Sequence, residues 1–216
     1  MYRLISSAVE HLVYTEAAGG SIPSSSISNF YMEYIFKSDF YVKFKPPNAD
    51  ELISKLDGVD LKLANTSVFM WGELCKVDRI SLNIDDWMND IIPILNNFSK
   101  EMNYTDGYFV ENPWINLYHK GSFQEAHDHY PSDLALVFFI NTGENFSNFY
   151  FYDKLRSSLS PNISDLLYNI GYNPTKIIDV EAGDAIIFPS NILHGVSPHN
   201  SDIIRKTLST NIKLTK

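Results

Sequence analysis

His127 and His129 stand two residues apart in Gln124-Glu-Ala-His127-Asp-His129, and on an extended chain that spacing projects both imidazoles from one face. Two imidazoles on one face begin a metal site, and a third ligand from elsewhere would close it. The stretch Ala182-Gly-Asp-Ala-Ile-Ile-Phe-Pro-Ser190 reads as a turn followed by a buried strand, and His194 stands where the next strand begins, which makes it the natural third ligand. Downstream, Arg205-Lys-Thr207-Leu-Ser209-Thr-Asn211-Ile212 alternates, placing Arg205, Thr207, Ser209 and Asn211 on one face and Leu208 and Ile212 on the other. An arginine turned inward is costly unless it meets an anion, and its planar fork fits a carboxylate in a bidentate pair. Neutral imidazoles around a metal with open positions would equip such a site for catalysis.

Holding these residues together requires a β framework. Eight strand-like runs follow residue 105: Trp114–His119, Gln124–His129, Leu134–Asn141, Asn148–Asp153, Lys176–Glu181, Ala185–Pro189, His194–His199 and Ile204–Leu214. Short antiparallel runs divided by Gly, Pro, Asn and Asp predict a mainly β fold with flanking helices, a jelly roll or double-stranded β-helix. The run Leu134–Ile140 reads as a fully buried central strand, so the histidine pair ahead of it faces the barrel mouth. Residues 1–105 read as a helix and strand segment packing on the barrel and 106–216 as the barrel core, one compact domain overall. In the first part, Gly19–Ser26 reads as a loop, Phe30–Phe44 as strand-like, and Ala49–Leu56 as a helix ended by Gly58. Ile84, Trp87, Met88, Ile91, Ile92, Leu95 and Phe98 recur as on an amphipathic helix capped by Asn83, kinked at Pro93 and packed outside a sheet. Leu155–Thr175 breaks the strand spacing. Ser164 could cap a short helix there through Leu167, and with Gly19–Ser26 this connection is expected to shape the substrate mouth.

Composition bounds the partners. Across 216 residues, 26 acidic side chains against 17 basic ones give a formal net charge of −9, which offers no basic footprint to nucleic acid or an anionic membrane surface. No apolar run approaches the roughly 18 residues of a spanning helix, and the first twenty residues lack a secretory apolar core. Cys75 is the single cysteine, read as buried filler; it excludes an intrachain disulfide and suits a reducing, cytoplasmic setting. Trp71, Trp87 and Trp114 read as core aromatics, and His11, His119 and His199 as surface or near-site residues, His199 being a candidate for the rim.

Over residues 112–214 the combination resembles the 2-oxoglutarate- and iron(II)-dependent oxygenase superfamily, in its prolyl-hydroxylase-like branch of small bacterial and phage proteins. The matching features are Asn116-Leu-Tyr118 with Gly121, Gln124-Glu-Ala-His127-Asp-His129, Gly183-Asp-Ala-Ile-Ile-Phe188-Pro189 leading to His194-Gly-Val, and Arg205-Lys-Thr207. The resemblance implies an oxidoreductase that uses iron(II), 2-oxoglutarate and molecular oxygen to hydroxylate a small molecule or a peptide or protein side chain. It implies further that His194 binds iron, that Arg205 and Thr207 hold the distal carboxylate of 2-oxoglutarate, and that Tyr118 donates a hydrogen bond to the same cosubstrate. One departure stands out: relatives usually carry His-X-Asp or His-X-Glu, and this chain has His129 at the carboxylate position. The third ligand is then His129, an inward Asp128 on a local bulge, or Asp133 or water filling the gap. The shared face of positions i and i+2 favours His127, His129 and His194. Phe138-Phe139 also stands where hydroxylase relatives often offer tyrosine. Two rival readings are a cupin-like three-histidine dioxygenase that uses no keto acid and a non-catalytic jelly-roll binding module.

Overall fold

Residues 38–66 and 74–216 are described by the structure, a computed structural model. His11, Trp71, the loop expected at Gly19–Ser26 and most of the Phe30–Phe44 run lie outside the described residues. Among those described, twelve strands follow in chain order: β1 (Val42–Phe44), β2 (Asn65–Thr66), β3 (Val77–Ser81), β4 (Tyr108–Val110), β5 (Trp114–Tyr118), β6 (Gln124–His127), β7 (Leu134–Phe139), β8 (Phe149–Tyr152), β9 (Thr175–Ile178), β10 (Ala185–Pro189), β11 (His194–Val196) and β12 (Arg205–Leu214). They form a major sheet in the order β1-β10-β7-β12-β5-β3-β2, with β4 also on β12, and a minor sheet in the order β6-β11-β8-β9. All pairings are antiparallel. Two facing antiparallel sheets of this kind make the double-stranded β-helix expected from the run of short strands.

Every residue of β7 is buried, because the strand lies between β10 and β12 in the middle of the major sheet. Its two faces serve different cores. Leu134, Leu136 and Phe138 point to an outer layer, whereas Ala135, Val137 and Phe139 point into the barrel with Phe149, Phe151 and Phe188 of the other strands. The outer layer is covered by α1 (Ala49–Asp57) and α2 (Ile84–Met102). On α2 the apolar stripe Trp87, Ile91, Ile94, Leu95 and Phe98 packs against Ile115, Leu117, Phe138 and Leu208 of the sheet. Asn83 caps that helix by accepting a hydrogen bond from the Asp85 N–H at 3.2 Å, and the helix runs on through Pro93.

The connection between β8 and β9 holds α3 (Pro161–Asn169), and its start differs from expectation. Ser160, not Ser164, is the cap: its Oγ accepts from the Ile163 N–H at 3.4 Å. Pro161 occupies the first helical position, where a fixed φ and a missing N–H cost nothing, and this starts the helix a turn earlier. Strands β1 and β3, from the first part of the chain, lie in the same major sheet as the barrel strands, so the sheet that carries Arg205 extends beyond residues 106–216.

Candidate active site

The minor sheet sets two of the three histidines opposite each other. In the β6–β11 pairing His127 faces His194, and the register slips between His194 and Val196. Gly195 makes this close approach possible: a Cβ there would stand 2.8 Å from the Gln124 carbonyl oxygen and 2.6 Å from the Tyr150 hydroxyl. His129 arrives differently from the sequence expectation, because β6 ends at His127 and His129 lies in the following loop. Backbone bonds clip that loop to the end of β10: the His129 N–H donates to the Ser190 carbonyl at 2.8 Å, and the Ser190 N–H donates to the Asp133 carbonyl at 2.9 Å.

The three rings gather with centroids 4.4 Å apart for His127 and His194, 5.0 Å for His129 and His194, and 5.1 Å for His127 and His129. One nitrogen from each lies within 4.8 Å of the others. The tautomers of two follow from their partners. His127 Nδ1 faces the Glu125 carbonyl at 2.8 Å and His194 Nδ1 faces the Ile192 carbonyl at 3.0 Å; a carbonyl only accepts, so each Nδ1 carries the proton and each Nε2 keeps its lone pair. Burial holds all three imidazoles below their ordinary pKa, aided at His129 and His194 by mutual repulsion, with His129 brought down to about 4. The cluster is therefore neutral at pH 7, as a metal requires of its ligands. Neither alternative carboxylate joins it. Asp128 Oδ1 accepts from the Tyr130 N–H at 3.3 Å, and Asp133 Oδ2 accepts from the Leu214 N–H at 2.8 Å.

The major sheet supplies the other half of the site. Its register sets Arg205 opposite Tyr118 and Thr207 opposite Asn116, and Arg205 is 2% exposed. The guanidinium carbon lies 4.9 Å from the Tyr118 ring and 5.5 Å from the Phe139 ring. Burial disfavours its charge and Tyr118 partly compensates, yet both Nη1 and Nη2 are buried without a hydrogen-bond partner. Two parallel, buried and unpaired donors fit a carboxylate. Asn116 Nδ2 donates to Thr207 Oγ1 at 3.4 Å and to Ser209 Oγ at 3.2 Å, fixing the polar wall beside it. The histidine cluster, Tyr118, Arg205, Thr207 and Ser209 all line one cleft enclosing about 450 Å³, part of it open to solvent.

Three residues of this cleft escape a reading by local pattern. Trp114 is not core filler: it stacks on His129 at 6.1 Å and lies in the cleft wall. Gln124 and Arg79 line the wall too, the latter in the first half of the chain, where β3 is too short to show alternation. Two expectations change. His199 is fully buried, accepting at Nδ1 from the Ser147 N–H and donating from Nε2 to the Ile203 carbonyl, a structural clamp and not a rim residue. None of the described side chains of Leu155–Thr175 lines the cleft. His119 is a surface residue, 3.1 Å from Asp78, and Cys75 is buried inside the barrel.

Residues 112–211 match a family model described as "Putative 2OG-Fe(II) oxygenase". This stretch, a little under half of the chain, is thus similar to the 2-oxoglutarate/iron(II)-dependent oxygenase superfamily. Members of that family use iron(II) and 2-oxoglutarate. Solved structures carry the same fold at low identity. A 2OG-Fe(II) oxygenase family oxidoreductase from Burkholderia pseudomallei aligns with a TM-score of 0.58 at 14% identity, covering 80% of this chain and 84% of that one. HygX from Streptomyces hygroscopicus, with nickel and 2-oxoglutarate bound, aligns at 0.57 and 11%, covering 82% and 84%. A Pseudomonas putida prolyl-4-hydroxylase aligns at 0.55 and 13%, covering 82% and 93%. No curated protein matches the sequence. The residues present fit those cofactors, since three neutral imidazoles converge in the cleft and the buried Arg205 guanidinium lining it has both Nη atoms without a hydrogen-bond partner. Among the described residues no helix is long and apolar enough to cross a membrane.

Proposed function

We propose that the protein hydroxylates an organic substrate, with His127, His129 and His194 as the ligands of iron(II) and Arg205, Thr207 and Tyr118 as the holders of 2-oxoglutarate. The observation that carries this reading is the pairing of a converged histidine cluster with an orphaned Arg205 fork in one cleft. When bound, iron(II) and the keto acid supply oxygen activation coupled to decarboxylation, chemistry that belongs to the cofactors. The chain's own part is positioning. Arg205 would neutralise the distal carboxylate in a bidentate pair, Tyr118 and Thr207 would fix its orientation, and the Nδ1–H bonds of His127 and His194 to backbone carbonyls aim both Nε2 atoms at the shared position. His129 supplies a neutral donor where a carboxylate is usual, so this centre carries one more positive charge than a site of two histidines and a carboxylate. The rings of Phe149 and Phe188 pack against His194 and cover one side of that end with apolar surface.

For the substrate, HygX has also been solved with hygromycin B bound, which supports a small molecule, and the prolyl-4-hydroxylase likeness supports a peptide side chain. The test is to incubate iron-loaded protein with 2-oxoglutarate in air against small-molecule and peptide pools, following succinate and the mass gain of one oxygen. Succinate that depends on both iron and Arg205 supports the reading. Oxygenation without keto-acid consumption would instead identify a three-histidine dioxygenase, and metal binding with no turnover against any pool a binding module.

A further inference from the structure

The donors left unpaired in the cleft extend beyond the Arg205 fork. Arg205 Nη1 and Nη2 account for one carboxylate, but Arg79 Nε, Trp114 Nε1 and Gln124 Nε2 are also buried without partners, and all three residues line the same cleft. Arg79 lies on β3, opposite Asn116 of β5, and its guanidinium carbon is 5.3 Å from the Trp114 ring. Trp114 stacks in turn on His129. Through Trp114, Arg79 is linked to the histidine cluster, and its strand position opposite Asn116 lies two residues along the ladder from the one opposite Tyr118. Among the described residues no carboxylate forms an ion pair with it. Its charge is felt across the cluster, lowering the pKa of both His127 and His129.

Charge arithmetic sharpens the point. Three neutral histidines leave a divalent metal uncompensated, and Arg79 and Arg205 add two more positive charges. Dianionic 2-oxoglutarate removes two of the four, leaving an excess of two in a partly buried site. A guanidinium with an unpartnered Nε, stacked on an indole whose N–H is also unpartnered, presents the forked donor set that an oxyanion fills.

We propose that Arg79, seated on Trp114, anchors an oxyanion of the primary substrate, so that the protein takes a small acid bearing a carboxylate or phosphate group. The inference rests on the functional reading above and names the substrate class for that site. It makes Arg79 a specificity residue with no part in holding 2-oxoglutarate.

The test uses full-length protein loaded with zinc(II) and 2-oxoglutarate, probed by ligand-observed NMR with hexanoate, hexanamide and hexyl phosphate, three probes of one chain length. Wild type should bind at least one of the two anions about tenfold more tightly than the amide; which anion wins distinguishes carboxylate from phosphate. Arg79→Gln should reduce that preference to under twofold while leaving 2-oxoglutarate affinity within twofold of wild type, and Arg79→Lys, which keeps the charge, should retain part of it. No anion preference in wild type, or a preference that survives Arg79→Gln, would overturn the inference and leave the functional reading standing. Loss of 2-oxoglutarate in Arg79→Gln as severe as in Arg205→Gln would overturn it too, by assigning Arg79 to the cosubstrate. Failure of wild type to bind 2-oxoglutarate at all would sink the functional reading and the inference together.

Discussion

On the major sheet the polar residues of the site sit on adjacent strands whose ladder sets Tyr118 against Arg205 and Asn116 against Thr207, whereas on the minor sheet only His127 and His194 are paired and His129 hangs from a loop. In the first region β5 and the Arg205–Thr210 part of β12 are buried except at Trp114 and Lys206, with a packed apolar layer behind them. The second has exposed residues in the middle of β6 and a register slip in β11. The anion pocket is thus built by the fold itself, whether or not a ligand is present. The histidine end is assembled from a sheet edge and a clipped loop, and its integrity depends on the imidazoles staying uncharged. The two ends should fail separately.

The largest separation is expected from His194→Ala, which removes the one histidine buried between both others; metal affinity should fall by more than about 100-fold, as measured by competition with a chromogenic chelator. The fold should survive, as judged by an unchanged far-ultraviolet circular dichroism spectrum. Next comes Arg205→Gln. Breaking a buried charge pair costs about 3–5 kcal/mol, so 2-oxoglutarate affinity by calorimetry should fall by two orders of magnitude or more while metal affinity stays within twofold. Equal loss of metal and keto acid in either variant would erase the distinction between the two ends.

Acid should attack only the histidine end. The folded chain holds these imidazoles below the ordinary 6.5, His129 at about 4, so between those values the unfolded chain binds protons that the folded one does not. Stability is complete above pH 6.5 and is lost as pH falls toward 4, by up to about 1.4 kcal/mol per pH unit for each histidine kept neutral. Denaturant melts of metal-free protein between pH 7 and 4 should show this decline, and His129→Gln should flatten it. A slope unchanged by that substitution would mean that His129 titrates freely. The smallest effect belongs to Tyr118→Phe. Losing one hydrogen bond worth about 1 kcal/mol should weaken 2-oxoglutarate roughly fivefold by the same calorimetry and leave the metal untouched.

The same contrast governs what could be read from sequence. Strands β5 to β12 were legible because alternation, turn residues and one continuous apolar run are local signals, and the polar face of β12 followed from its period alone. Arg79 and Trp114 were not, since their place in the cleft depends on β3 pairing with β5, a contact between distant parts of the chain. His129 reached the cluster by a route that alternation does not describe, through backbone bonds from a loop to Ser190. The burial of His199 is not legible locally, because it comes from tertiary clamping by Ser147 and Ile203 that nothing in its neighbours signals. The helix start at Pro161 was legible in principle from Ser-Pro, a cap followed by the residue best suited to the first turn.

The most direct measurement is an anaerobic titration of iron(II)-loaded protein with 2-oxoglutarate, following the weak visible charge-transfer band that chelation of a keto acid produces. The band should rise to one equivalent in wild type, be absent in His194→Ala, require far more 2-oxoglutarate in Arg205→Gln, and move in wavelength in His129→Asp, where an anionic oxygen replaces a neutral nitrogen. Tight iron binding with no band at any 2-oxoglutarate concentration would contradict the account, and a band unmoved in His129→Asp would remove His129 from the metal.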